Sequence, residues 1–455
     1  MTFPFRTAFG IAVVIGLVSA AHFVLPAAKL PGPELFTSLV EFTPEVTPEA
    51  PLVRHVNRPE ESPVPVLKPG HLLLEDSSGA LNSFYNALWR VERRQQPDVA
   101  RIVHYGDSPT TADLITGDVR MLLQKRFGDV GPGFTLIAKP WAWYQHHGVQ
   151  ISGSGWQIDA ASHFVAHDGL FGLGGVSFSG NAGAHDQIKY SDPGPLDFEI
   201  WYLAQPGGGR INVIADGNSI GQVETGADTQ SPGFATLHAT SPVGELQINV
   251  ESGNVRLFGV EASRPGPGLL YDSLGMNGAS ITVMTRMFNR EFWTEELRHH
   301  EPCMVIINYG TNEADFASYV NGPYEKDLRE AVRRVQGAVP EASVMLMSPM
   351  DRGKHVGLDE IETMPTIPQI VAIQKRVAAD MGCAFFNTFE AMGGDGTMAR
   401  WYQGERRLVS ADLIHPIPAG GRIVANAFVK ELMLGYNRFK LRQLTKSKPE
   451  QGNLK

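Results

Sequence analysis

Three residue types in this chain could together perform acyl transfer: Ser108 in the tripeptide Gly106-Asp107-Ser108, and Asp412 and His415 in the run DLIH. A serine hydroxyl is a weak nucleophile until an imidazole takes its proton, and a third group must orient that imidazole. Asp412, three residues before His415, can reach the ring within one turn of loop, so one short segment supplies both base and orienter. Alone, a GDS turn reads equally well as a polar helix cap, and a DxxH as a surface ion pair. Two further segments add electrophilic help. LGMNGAS, Leu274–Ser280, is small enough for backbone amides to approach a ligand closely. YGTNE, Tyr309–Glu313, ends an apolar run and carries Asn312, whose side-chain amide can donate to a developing oxyanion.

These residues need a scaffold that brings distant parts of the chain to one edge. RIVHY before Ser108 and CMVIIN before Asn312 read as buried strands. Thr111–Phe127 reads as a helix, with Ile115, Val119 and Leu122 on one side. Leu328, Val332, Val335 and Val339 mark another helix, and Ile370, Ile373, Val377 and Met381 a third, stopped by Gly382. SVMLM and CAFFN are further strands, and a last helix is expected from Pro418 to about Leu434. Alternating strands and helices predict a parallel α/β sheet with helices on both faces. Active groups should then gather at the carboxyl ends of the strands.

The stretch between the first two segments differs. From Gln150 to Arg264 the chain is rich in Gly, Ser, Asn and Asp, with short alternating runs such as DFEIWYLA and ELQINVES. That pattern predicts an inserted all-β sandwich. The expected organisation is an α/β domain in two parts, 71–149 and 265–437, interrupted by a β domain at 150–264.

The ends have their own character. Arg6 followed by AFGIAVVIGLVSAA predicts a signal peptide or membrane anchor over residues 1–25. Ten of the 31 prolines fall between Pro26 and Gly70, among six glutamates, which predicts a stiff extended spacer over 26–70. Residues 438–455 read as a basic solvated tail.

Composition narrows the function classes. With 43 % hydrophobic and 19 % charged residues the chain is globular. Its net charge of -9 argues against nucleic acid as a partner. Cys303 and Cys383 sit in apolar runs and read as small buried hydrophobes, and no metal-ligand spacing occurs. Trp141, Trp143 and Tyr144 lie together in KPWAWYQHHG, and read either as core or as an aromatic platform for sugar rings. The adjacent His146 and His147 read as loop or surface residues.

GDS, NGA, GTNE and DLIH, in that order, resemble the four blocks of the SGNH (GDSL-like) hydrolases. The resemblance implies Ser108 as nucleophile, His415 as general base and Asp412 as its orienter. It also implies an oxyanion hole from the backbone of Ser108 and Gly278 and the side chain of Asn312, with Gly275 the alternative glycine. A flavodoxin-like sheet goes with that family, and its chemistry needs no metal or cofactor. The run HYGDSPTTADLITGDVRMLLQKRFGDVGPGF is similar to the opening of bacterial peptidoglycan O-acetylesterases. These also carry a carbohydrate-binding-like β-sandwich between the first two blocks, and SPMDRG and DLIHPIPAGG continue the similarity. This chain departs in Pro109 after the nucleophile and in GTNE where the superfamily has GxND. The function implied is an exported serine acetylesterase acting on an O-acetylated glycan of the cell envelope. Acetyl transfer to a sugar hydroxyl, or glycan binding without catalysis, are the alternatives.

Overall fold

The computed structural model describes residues 72–162, 168–357 and 360–446. The expected export segment and proline-rich spacer lie outside the described residues, as do residues 447–455. Among the described residues no helix is long and apolar enough to cross a membrane.

The first half of the α/β part comprises β1 (Leu74–Glu75), α1 (Asn82–Glu92), β2 (Val99–Gly106), α2 (Ser108–Thr111), α3 (Thr116–Phe127) and β3 (Gly133–Thr135). Then come eight strands without a helix between them: β4 (Val149–Ala160), β5 (Val176–Gly194), β6 (Asp197–Ala204) and β7 (Arg210–Ala215), then β8 (Asn218–Glu224), β9 (Ser231–His238), β10 (Val243–Ser252) and β11 (Asn254–Ser263). The α/β rhythm resumes with β12 (Gly268–Gly275), α4 (Arg290–His300), β13 (Met304–Asn308), α5 (Tyr324–Ala338) and β14 (Ser343–Met347). A small hairpin of β15 (Gly353–His355) and β16 (Ile361–Thr363) follows, then α6 (Thr366–Asp380), β17 (Ala384–Phe386) and α7 (Pro418–Lys446).

Six strands form the central sheet in the order β1-β17-β14-β13-β2-β12. The pairs from β17 to β12 are parallel, and β1 joins β17 antiparallel, so the sheet is mixed where a purely parallel one was expected. In order of appearance the five parallel strands run 2-1-3-4-5. Successive side chains on a strand point to opposite faces, and burial follows that rule. Val103, Tyr105, Val305, Ile307, Val344 and Leu346 join a core with Phe292, Leu328, Val335 and Ile370. Ile102, Met304, Ile306, Met345 and Met347 join another with Phe84, Leu88, Val119, Val424 and Phe428. Helices α4, α5 and α6 thus cover one face and α1, α3 and α7 the other.

The second sheet is largely antiparallel and near-barrel, with its nine strands joined in one hydrogen-bonded network. Two separate layers were expected from the strand spacing. β3, which precedes the expected boundary at residue 150, pairs with β11, so the α/β part lends the β sheet a strand. Trp201, Phe198, Ile248 and Phe134 are fully buried in its core. That core continues into the α4 face of the central sheet, where Phe258 meets Phe292 edge-on at 5.5 Å between ring centroids.

Two helices depart from expectation. The helix foreseen over Thr111–Phe127 is broken into α2 and α3, because Asp113 adopts a left-handed conformation at φ 52°. The last helix runs twelve residues past Leu434, taking in the start of the supposed tail. Tyr436 and Phe439 explain it: both are buried against Tyr85, and Lys440 pairs with Glu92 on α1. Cys303 and Cys383 are free thiols, the second buried and the first partly so.

Candidate active site

Register brings the distant segments together. Gly106 at the end of β2 pairs with Gly275 on β12 and with Asn308 on β13. Ser108 therefore lies two residues beyond the same sheet edge that Gly278 and Asn312 overhang by three and four residues. The chain passes from β2 to one neighbour and then crosses to the other, which opens a crevice above the carboxyl end of β2. Met276 N–H donates to the Gly106 carbonyl at 3.0 Å, and Asn312 Nδ2 donates to the Ala279 carbonyl at 2.8 Å. Gly275 permits the close approach: a Cβ there would lie 2.0 Å from the Thr111 nitrogen. Gly278 has open space around it but sits at φ 71°, where a side chain is strained.

Ser108 Oγ lies 2.7 Å from His415 Nε2, and His415 Nδ1 lies 2.6 Å from Asp412 Oδ2. The other Asp412 oxygen, Oδ1, accepts from Ser410 Oγ at 2.5 Å and from the backbone of Ile414 and His415 at 2.9 and 3.0 Å. An aspartate bonding amides two and three residues ahead folds a tight turn. Leu413 completes it at φ 59°, held there by its own burial. Burial of the Asp412 carboxyl works against ionisation, but the hydrogen bonds from Ser410, His415 and the two amides prevail and hold it well below the usual range. With Nδ1 directed to that carboxylate, Nε2 is left to accept the Ser108 proton.

Two buried carboxyls flank this arrangement, and sequence reasoning did not single them out. Burial raises the Asp107 pKa to about 6 against a hydrogen bond from Thr311 and the charge of His415. Burial likewise raises Glu313 to about 7, opposed chiefly by the Ile281 N–H that its Oε1 accepts at 2.8 Å. Their positions beside Ser108 and Asn312 were the only available signal, since burial of a carboxyl is not visible in a tripeptide.

The aromatic cluster divides. Trp141 and Tyr144 are buried, the tyrosine hydroxyl accepting from Leu136 N–H at 3.0 Å, so these two belong to the core. Trp143 is 62 % exposed and alone offers a free face. Of the two histidines read as loop or surface residues, both lie in the loop between β3 and β4, His146 buried and the His147 side chain exposed. Among the described residues no group of His, Cys, Asp and Glu is arranged to hold a metal ion.

Residues 252–423 match the GDSL-like lipase/acylhydrolase family. The matched segment begins at the end of β10, within the inserted sheet, and contains Gly278, Asn312, Asp412 and His415, so Ser108 stands outside it. A solved structure of a peptidoglycan O-acetylesterase is similar in fold, with a TM-score of 0.69 at 24 % identity over 81 % of this chain and 100 % of that one. A family-two carbohydrate esterase from Clostridium thermocellum, in complex with cellohexaose, aligns over 63 % of this chain and 99–100 % of its own. Its TM-score of 0.29 and 12 % identity are too low to bear on the fold. No curated protein matches the chain.

Proposed function

We propose that this chain, which carries an esterase domain of the SGNH/GDSL type, removes O-acetyl groups from a cell-envelope glycan through an acyl-enzyme on Ser108. The observation that carries the reading is the unbroken hydrogen-bond chain from Ser108 through His415 to Asp412. Ser108 Oγ attacks the ester carbonyl as its proton passes to His415 Nε2. Asp412 stabilises the imidazolium. The carbonyl oxygen becomes an oxyanion that the N–H groups of Ser108 and Gly278 and Nδ2 of Asn312 receive. Collapse expels the sugar hydroxylate, which takes the proton back from His415. Water, deprotonated by His415, then releases acetate and frees Ser108.

The glycan and its location follow from the family resemblance. An O-acetylated peptidoglycan fits the similarity in fold to a peptidoglycan O-acetylesterase. Export through residues 1–25, and a spacer over 26–70, would set the enzyme in the periplasm or envelope. The strand order supports a flavodoxin-like sheet. The β sheet would be a carbohydrate-binding-like insertion between residues 150 and 264, to which β3 adds a strand, and Trp143 a stacking face for sugar.

The test is turnover of p-nitrophenyl acetate by the full chain and by Ser108→Ala, with acetate release also followed with and without a glycan acceptor. Turnover by the unsubstituted chain and none by Ser108→Ala is expected. Equal activity in both would overturn the assignment of Ser108. Acceptor-dependent loss of free acetate would turn the reading from hydrolysis to transfer.

A further inference from the structure

In the β4–β5 ladder Gln150 pairs with Lys189 and Ser152 with Gln187. Residues two apart on a strand share a face, so these four polar side chains lie together. They form part of the wall of a cleft of about 560 Å³, which Lys139 and His147 also line. That size falls in the range of small-molecule sites, on the order of 300–1,000 Å³.

The cleft's charge is unlike the rest of the molecule. The chain carries -9 overall, yet the cleft lining includes two lysines and two histidines and no carboxylate. Lys139 has no carboxylate partner among the described residues. Lys189 meets Glu245 at 3.6 Å and stays half exposed. His147 is held in place by Asp113, whose Oδ2 accepts its backbone N–H at 2.8 Å and lies 3.4 Å from its ring. Asp113 is itself fully buried and paired with Arg120 at 2.5 Å.

The same wall is bonded to the nucleophile's helix. Gln145 N–H donates to the Thr111 carbonyl at 3.1 Å. Thr111 is three residues from Ser108, about one helical turn or roughly 5 Å along the axis. The cleft wall is therefore fixed to the short helix that begins at Ser108.

We propose that this cleft is a subsite for a carboxylate-bearing stretch of the glycan, with Lys139 and Lys189 meeting the carboxylate and Gln150, Ser152 and Gln187 the sugar hydroxyls. It rests on the esterase reading only for which ester reacts nearby. The carboxylate could belong to the lactyl ether of a muramic acid or to a uronic acid, and the two are separable by the ligand used.

The experiment is calorimetric titration of the full chain with three ligands that carry no O-acetyl ester: N-acetylglucosaminyl-N-acetylmuramic acid, oligogalacturonate and the neutral, fully N-acetylated chitotetraose. The chain is expected to bind one of the acidic ligands more tightly than chitotetraose, and which one identifies the carboxylate. Lys139→Gln with Lys189→Gln should weaken that ligand roughly fivefold to tenfold and chitotetraose by less than about twofold. Lys139→Arg with Lys189→Arg, which keeps both charges, should restore most of the affinity and controls for folding. No preference for an acidic ligand, or an equal loss for acidic and neutral ligands, overturns the subsite. Binding needs no turnover, so charge-dependent binding by a chain inert towards p-nitrophenyl acetate would support the cleft while sinking the esterase reading.

Discussion

His415 sits between two partners of very different origin: Asp412 from its own turn, and Ser108 from 307 residues earlier. Removing a member of such a chain costs differently from removing an oxyanion donor. Asp412→Asn should lower kcat by up to roughly 10⁴ because the imidazole adopts the wrong tautomer. Asn312→Ala should cost about 10²–10³ with little change in KM. Steady-state kinetics on p-nitrophenyl acetate separates the two. Glu313 makes a different prediction. Its folded pKa of about 7 lies above the unfolded value near 4.3. Below both values each state is protonated and nothing is lost. As pH rises from about 4.3 to about 7 the unfolded chain ionises more readily than the folded one, and stability falls by on the order of 3 kcal/mol. Glu313→Gln cannot ionise, so its advantage over the unsubstituted chain in urea unfolding should grow across that window. A constant difference would show that Glu313 is not held neutral. At this scale the sequence was most informative, because Ser108, Asn312, Asp412 and His415 carry their chemistry in their side chains. What it hid was conformation: nothing in DLIH announces that Leu413 takes φ 59°, a region costly for a leucine.

Among the elements, strand ends do the positioning and glycines set the tolerance. Gly275→Ala would drive a methyl into the backbone of α2, at 2.0 Å from the Thr111 nitrogen, so both melting temperature and turnover should fall. Gly278→Ala meets nothing within 4 Å, and only the left-handed backbone resists it, at about 1–2 kcal/mol. The two substitutions, compared by thermal melting and by rate, tell steric contact from conformational strain. The long α7 offers a simpler case. Phe439→Ala removes a ring that packs on Tyr85, and should destabilise the chain by about 3–5 kcal/mol in chemical unfolding. Strand and helix periodicity foretold most elements and both faces of the sheet. It failed where a tertiary partner decided the outcome. Arg438, Lys440 and Arg442 looked like a solvated tail because the apolar side of their helix, Tyr436 and Phe439, finds its partner on α1 far away in sequence. The α2–α3 break was equally hidden, since Asp113 bends the chain to satisfy Thr116, Arg120 and the His147 amide.

At the scale of the molecule, the two sheets are coupled by a buried ionic cluster as well as by apolar packing. His300 on α4 bonds Asp272 of β12 at 2.6 Å and lies 3.2 Å from Glu261 of β11. Burial opposes protonation, but the two carboxylates outweigh it and raise its pKa to about 9. The unfolded value is near 6.5, so this stabilisation is whole below about 6.5 and is lost as pH rises through about 9. His300→Gln should therefore flatten the fall in melting temperature over that window, whereas an unchanged profile would mean the cluster contributes no charge. The α/β and β character of the two regions was legible in their rhythms of helix and turn. The crossing of the boundary by β3 was not, because a three-residue strand takes its identity from β11 rather than from its own pattern. The account as a whole turns on Ser108. Its most direct test is acetate release from O-acetylated peptidoglycan by the full chain beside Ser108→Ala, with circular dichroism to establish that both are folded. Release by the unsubstituted chain, falling by at least about 10⁴ in the variant, is the predicted result. Undiminished release by a folded Ser108→Ala chain would contradict it.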